Sequence, residues 1–203
     1  MERIDTIAIY GGGGHGKVVA DIAASNGFGS ILWIDDAPKE EAVGLEEFIA
    51  STPDIPVALG IGNNLHREKS FQRLTDAGLK VISLVHPSAI ISESAVIERG
   101  AVVMPGAVIN AEAVVKEGAI INSAAVIEHD CVIGRFAHIS PNCALGGDVK
   151  VGERTHIGIG ASVIQCLSIG PDVKVGAGAA VIHNLPGSIM AAGVPAVIKK
   201  EFR

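Results

Sequence analysis

The chain has 203 residues, enough for a real core and one or two domains. Apolar residues make up 48% but aromatics only 3%, so Ile, Val, Leu and Ala must fill the interior, which suits a narrow prism. A net charge of −6 argues against nucleic acid or an anionic membrane surface as the main partner, while leaving room for local phosphate sites.

The Met1 end carries no signal-peptide pattern and runs straight into a strand and a glycine loop. No apolar run is long enough to span a bilayer. Three cysteines at unpatterned spacing make no disulfide framework, so the expected location is the reducing cytoplasm. Residues 6–10 read as a short buried strand, followed by the run Gly11-Gly-Gly-Gly-His-Gly16. Residues 17–26 then read as a helix, with Val18, Val19, Ile22 and Ala23 on one face. A second strand at 30–34 ends in Asp35-Asp36, and an acidic loop follows. A third strand at 56–61 is closed by Gly62-Asn63-Asn64; 65–77 is an amphipathic helix and 80–84 a fourth strand. Strands alternating with helices predict a small Rossmann-like α/β domain over 1–84, with His86-Pro87 as its hinge.

The glycine run satisfies G-x-G-x-x-G between a strand and a helix, with Asp35 about twenty residues on. Glycines there let backbone N–H groups approach a phosphate at a helix N-terminus; the same spacing also makes a tight turn with no ligand. Half of a doubly wound sheet is too little for a dinucleotide, so a mononucleotide diphosphate fits better, with Asp35 or Asp36 accepting from ribose or base.

From 89 to 184 the chain repeats every six residues, sixteen times without a break. The third position is always Ile, Val or Leu and the first is mostly Ala. Such a unit is one face of a parallel β-helix and cannot bury its apolar side alone. Three faces close a coil, so residues eighteen apart stack roughly 4.8 Å apart. Ile91, Ile109, Ile127, Leu145, Val163 and Val181 should form one internal ladder. Cys131 and Cys143, at the inward first position, read as small buried hydrophobes, and Cys166 as exposed but unactivated. The fourth position reads as the corner. There Gly134, Gly146, Gly152, Gly158, Gly170 and Gly176, with Asn110 and Asn122, tolerate a left-handed backbone. The β-helix is assigned to 85–184, and 185–203 to a capping tail.

Among the histidines, His129 lies at a coil corner between Glu128 and Asp130. A carboxylate on one ring nitrogen fixes the tautomer and strengthens the other nitrogen as a base. His138 and His156, eighteen apart, stack on one outer face. No cysteine or carboxylate cluster completes a metal site around that pair, so no metal is expected.

Taken together, the residues resemble a known family. The signature is Ile-Tyr-Gly-(x)3-His-Gly at 9–16, Asp35-Asp36, Ile61-Gly-Asn-Asn64, the stretch from Asn122 through Val-Ile-Glu-His-Asp-Cys131 to Phe-Ala-His138, and the closing Gly193-Val-Pro-Ala196. It is similar to that of bacterial nucleotide-sugar acetyltransferases of the sialic-acid/bacillosamine type, over essentially the whole chain.

The resemblance implies a left-handed β-helix, a homotrimer with active sites between subunits, and acetyl-CoA as co-substrate in the groove between prisms. It puts the catalytic histidine at His129 and its acidic partner at Asp130, where bacillosamine-type enzymes commonly carry the longer Glu. It assigns His138 to the acetyl end of acetyl-CoA and Gly147, Ile159 and Ala177 to the CoA arm; at the last the family often has Gly. It assigns Gly13, Gly14, His15, Asp35, Asp36 and Gly62 to the nucleotide sugar. The expected activity is N-acetylation of the 4-amino group of a UDP-linked 4-amino-6-deoxy sugar, by direct attack with a histidine base. The alternative is O-acetylation of a sialic-acid-type sugar.

Overall fold

The computed structural model describes residues 5–37 and 42–202. The N-terminal part is a four-stranded parallel sheet in the order β3-β2-β1-β4, built from β1 (Thr6–Tyr10), β2 (Ser30–Ile34), β3 (Ala42–Val43) and β4 (Val57–Leu59). Helices α1 (Gly14–Ser25), α2 (Leu45–Ser51) and α3 (Asn64–Asp76) connect or follow these strands. Alternate residues of β1 serve opposite layers: Ile7 and Ile9 pack with Val19 and Ile22 of α1, Ala8 and Tyr10 with Phe48 and Phe71.

Several local expectations change. Helix α1 starts at Gly14 instead of residue 17, because Gly13 takes the extended N-cap conformation and draws His15 and Gly16 into the first turn. The stretch read as an acidic loop contains β3 and α2; Glu46 and Glu47 occupy the first turn of α2, while Leu45 and Phe48 enter the core. The predicted strand at 80–84 shrinks to a single bridge between Val57 and Val81. The chain then leaves the sheet: Leu84–Val85 pairs with Val102–Val103, so the coils begin one hexad before Ala89. His86 belongs to the prism, its N–H donating to the carbonyl of Val103.

The coils form the expected left-handed parallel β-helix. Each hexad contributes a two-residue strand from its second and third positions. The first face runs from Leu84–Val85 through Ile120–Ile121, His138–Ile139 and His156–Ile157 to Lys174–Val175. The second runs from Ile90–Ile91 through Val126–Ile127 to Ala180–Val181, and the third from Val96–Ile97 through Val132–Ile133 to Ser168–Ile169. The ladder from Ile91 to Val181 stacks as its spacing predicts. Cys131 and Cys143 are buried in this core, and Cys166 is exposed.

The corner reading needs correction. Every residue of the hexads with positive φ, from Gly100 (+72°) to Gly178 (+65°), stands at the sixth position, not the fourth. Fourth-position glycines serve steric clearance between coils instead. A Cβ on Gly152 would lie 2.4 Å from the backbone of Gly170, and one on Gly170 would lie 2.4 Å from Gly187. The sixth position accepts Asp130, Asn142, Asp148 and Asp172, since short polar side chains tolerate this region better than most.

The top of the prism is sealed by Ile189–Ala192, which pairs parallel with Lys174–Val175 and antiparallel with Val197–Glu201. The α/β unit covers the first face: Leu84, Val102, Met104 and Ile120 pack with Ile7, Ile9, Ile22 and Ala58. Phe136 and Phe71 meet edge-on at 5.3 Å at the adjoining corner. A Cβ on Gly118 would fall 2.3 Å from the Phe136 ring, so glycine there admits the aromatic plug.

Candidate active site

Two separate sets of side chains are the candidates for the chemistry. The first lies at the carboxyl ends of β1 and β4, the switch point of the sheet, where ligands of open α/β folds bind. Gly16 and Gly60 are there for packing: a Cβ on Gly16 would sit 2.0 Å from the Gly11 carbonyl, and one on Gly60 2.6 Å from it. Gly13 and Gly14 face open space at the N-terminus of α1, with no protein atom within 4 Å of a built Cβ. Asp35 anchors this loop, accepting from the Gly12 N–H at 2.9 Å and the Ala37 N–H at 3.0 Å. Asp36 accepts from the Tyr10 hydroxyl at 2.8 Å and from Arg73 at 2.7 Å. Burial and then the Asp36 carboxylate push the Tyr10 phenol up to about 12, so it stays a donor. These groups line a cleft of about 430 Å³ with Gly11, Ile61 and His66.

The second set stands on the corner between the second and third faces, the prism edge opposite the covered first face. Here Asp130, at φ +61°, turns its carboxylate back to within 2.7 Å of His129 Nδ1. The shorter Asp therefore reaches the imidazole. Gly147 lies one coil above: a Cβ there would come 2.6 Å from His129 Nε2, so glycine makes room for the ring. The hydrogen bond to Asp130 raises the His129 pKa; slight desolvation opposes it, and the charges of Asp130, Glu128 and Asp148 reinforce it. The side chain is 62% exposed.

Beside the first set, the ring of His15 of α1 lies 6.3 Å from that of His138 on the first face, and His138 lies 4.7 Å from His156 of the next coil. Burial is the main cause that pushes His15 down to about 4 and His138 to about 3; the nearby Arg67 charge adds to both. Both rings are therefore neutral near pH 7. Asn122 Oδ1 accepts from the Ser123 N–H at 2.8 Å, which leaves its Nδ2 to donate to His138 Nε2 at 2.9 Å. The His138 proton accordingly resides on Nδ1, a buried atom close to the Gly62 carbonyl.

Within one chain the expected site residues fall into distinct places. His129, Asp130 and Gly147 form one cluster; Gly13, Gly14, His15, Asp35, Asp36 and Gly62 surround the sheet's switch point, where His15 also touches the His138 column. Ile159 and Ala177 lie one coil apart on a third edge, between the first and second faces, and Ile159 is exposed. His138 lies under the α/β unit and is only 9% exposed.

Residues that sequence reading passed over include Tyr10 and Arg73 in the cleft, and above all Arg67. Fully buried, Arg67 donates to the carbonyls of Ile61, Gly62, Gly118, Phe136 and Ala137 and to Asn64, fastening the Gly62 loop to the prism. Its signal was present: Arg67, Ser70, Phe71 and Leu74 share the buried face of α3, and a cation there implies internal acceptors. Among the described residues, no group of three His, Cys, Asp or Glu side chains is arranged to hold a metal. No helix is long and apolar enough to cross a membrane.

Residues 6–74 match the family of PglD N-terminal domains. A UDP-N-acetylbacillosamine N-acetyltransferase of Bacillus subtilis (strain 168) is 42% identical over 109 residues, 48% of this chain and 50% of that protein, so the match spans about half of each. Among solved structures, a histidine-to-asparagine mutant of perosamine N-acetyltransferase from Caulobacter crescentus, with CoA and GDP-perosamine, superposes with a TM-score of 0.93. It is 37% identical, over 98% of this chain and 99% of that one. The acetyltransferase domain of PglB from Neisseria gonorrhoeae FA1090, with acetyl coenzyme A, gives a TM-score of 0.92 and 36% identity over 97% and 100%. With 36–37% identity and TM-scores of 0.92 and 0.93 over nearly the whole of both chains, this protein belongs to the hexapeptide-repeat family of acetyl-CoA-dependent nucleotide-sugar acetyltransferases.

Proposed function

We propose that the protein transfers the acetyl group of acetyl-CoA to the 4-amino group of a UDP-linked 4-amino-6-deoxy sugar. His129 is the general base and Asp130 its orienting partner. The observation that carries this reading is the 2.7 Å His129–Asp130 pair, on an exposed side chain for which Gly147 of the next coil makes room. Nε2 takes a proton from the amine as its nitrogen attacks the thioester carbon; the C–S bond then breaks and the departing thiolate takes that proton. His138 and backbone N–H groups are the candidates to steady the oxyanion. Gly13, Gly14 and His15 hold the diphosphate side of the sugar nucleotide, and Asp35, Asp36 and Gly62 the nucleoside side. No covalent enzyme intermediate is required, so holding two large substrates in register supplies much of the rate.

A homotrimer completes the site. His129 is on the prism edge opposite the face that carries the nucleotide cleft, so a neighbouring chain must bring its cleft to that edge. Two sets of outward residues support such contact: Ile90, Val108 and Val126 on the second face, and Val96, Val114 and Val132 on the third, are apolar in the lower coils. Higher up, the same positions become Ser162, Lys150 and Ser168. Acetyl-CoA then lies between the His129 edge of one prism and the Ile159–Ala177 edge of the next. The setting is the cytoplasm, where acetyl-CoA and sugar nucleotides are made.

Relatives acting on UDP-linked and on GDP-linked sugars are both similar to this chain, so the carrier is tested directly. Thiol release from acetyl-CoA is measured with a UDP-4-amino-6-deoxy sugar beside the matching GDP sugar, CMP-sialic acid and free sialic acid. Strong turnover with the UDP-amino sugar is expected. Preference for a hydroxyl acceptor would overturn N-acetylation in favour of O-acetylation.

A further inference from the structure

Above the seam between the α/β unit and the prism, a second cleft of about 550 Å³ opens. It is bounded by the first turn of α3, the upper coils of the first face and Phe202 of the closing hairpin. Its floor is His156 and Lys174, which sit in register one coil apart. Its mouth includes His66, which also lines the smaller cleft beside Asp36 and Arg73, so the two spaces adjoin.

The chemistry of the lining narrows the ligand. Arg154 is already committed: Nε and Nη2 grip Asp172 at 2.8 and 2.9 Å, and Nη1 reaches Glu68 at 3.2 Å. Lys174 makes no ion pair among the described residues; its Nζ lies 5.2 Å from the centroid of the Phe202 ring, with Lys200 Nζ at 5.8 Å. The Phe202 backbone is fixed by its N–H, which donates to the Ser188 carbonyl at 2.7 Å. A purely apolar ligand would strand the polar groups, and a bare anion would face the carboxylate of Asp172. One aromatic platform ringed by both donors and acceptors matches a pyranose, which has an apolar C–H face and hydroxyls at its rim.

We propose that this cleft seats the acceptor's sugar ring, with Phe202 under its C–H face and Lys174 and Asp172 hydrogen-bonding its substituents. This rests on the nucleotide-sugar reading above. The nucleotide then runs from the Asp36–Arg73 cleft, past Gly62 and His66, to deliver its sugar beside His156, whose ring is 4.7 Å from that of His138. Phe202 and Lys174 are specificity residues in this account, and the C-terminal hairpin is part of the acceptor site as well as a cap.

The test uses the full chain carrying Phe202→Ala or Lys174→Met, both outside the core. Dissociation constants are measured for UDP alone, for the UDP- and GDP-linked amino sugars and for acetyl-CoA. Each variant should weaken the preferred sugar nucleotide by about tenfold, while UDP and acetyl-CoA bind as before. Equal weakening of UDP, weakening confined to acetyl-CoA, or no change in a protein whose wild type binds the sugar nucleotide would each overturn the cleft assignment alone. A wild type that binds neither amino-sugar nucleotide would overturn the underlying reading with it.

Discussion

Asp130 does two jobs at the residue scale, and they can be separated. It occupies the left-handed corner at φ +61° and it holds His129 Nδ1 at 2.7 Å. Asparagine tolerates the same backbone, so Asp130→Asn keeps the corner and removes the charge. The carboxylate raises the His129 pKa by favouring the imidazolium, so its loss lets that pKa fall. A general base acts when neutral, and the acid limb of kcat/KM should therefore move to lower pH while the maximum drops; an unmoved limb would assign the titration to another group. The pairing was legible because the two residues are adjacent in sequence. The His15–His138 approach was not, since it depends on α1 starting at Gly14 and on the docking of two units far apart in the chain. Arg67 was missed for a related reason: its acceptors are main-chain carbonyls from several coils, which leave no mark in residue identity.

Hexads set the β-helix at the scale of elements because inward positions cannot vary: the alternation of Ala with Ile, Val or Leu fixes register coil by coil. Glycine was the misleading signal. Residue type alone does not separate a glycine that needs positive φ from one that needs clearance, and the coils use both. Gly170→Ala would put a methyl 2.4 Å from the backbone of the next coil, whereas Gly178→Ala would meet open space and suffer only the left-handed backbone. The second change should cost about 1–2 kcal/mol, and the first clearly more, because stacked backbones cannot yield independently. Thermal melting of the two variants checks the order; equal melting temperatures would contradict the clearance argument. In the α/β part, β3 and α2 were hidden by acidic composition, although Leu45 and Phe48 at helical spacing are the residues that bury α2.

For the whole molecule, the proposed reading calls for a second copy, because His129 lies on the prism edge opposite the face that carries the proposed nucleotide cleft. Gly14→Asp should abolish sugar-nucleotide binding without harming the fold, since its Cβ has free space and the new charge opposes phosphate. Trimers assembled from equal amounts of Gly14→Asp and His129→Ala chains should regain about one quarter of wild-type activity if neighbouring chains share each site. A site contained within one chain predicts none. Burial of the prism's first face under the α/β unit could not be read from the hexads, because its outward residues Val102 and Ile120 are apolar like those on the two uncovered faces. The most direct measurement is kcat of wild type and His129→Ala with acetyl-CoA and the UDP-4-amino-6-deoxy sugar, on proteins of matched melting temperature and assembly state. A fall of roughly 10²–10⁴ with the fold intact is the predicted result; a variant turning over at the wild-type rate would remove His129 as the base.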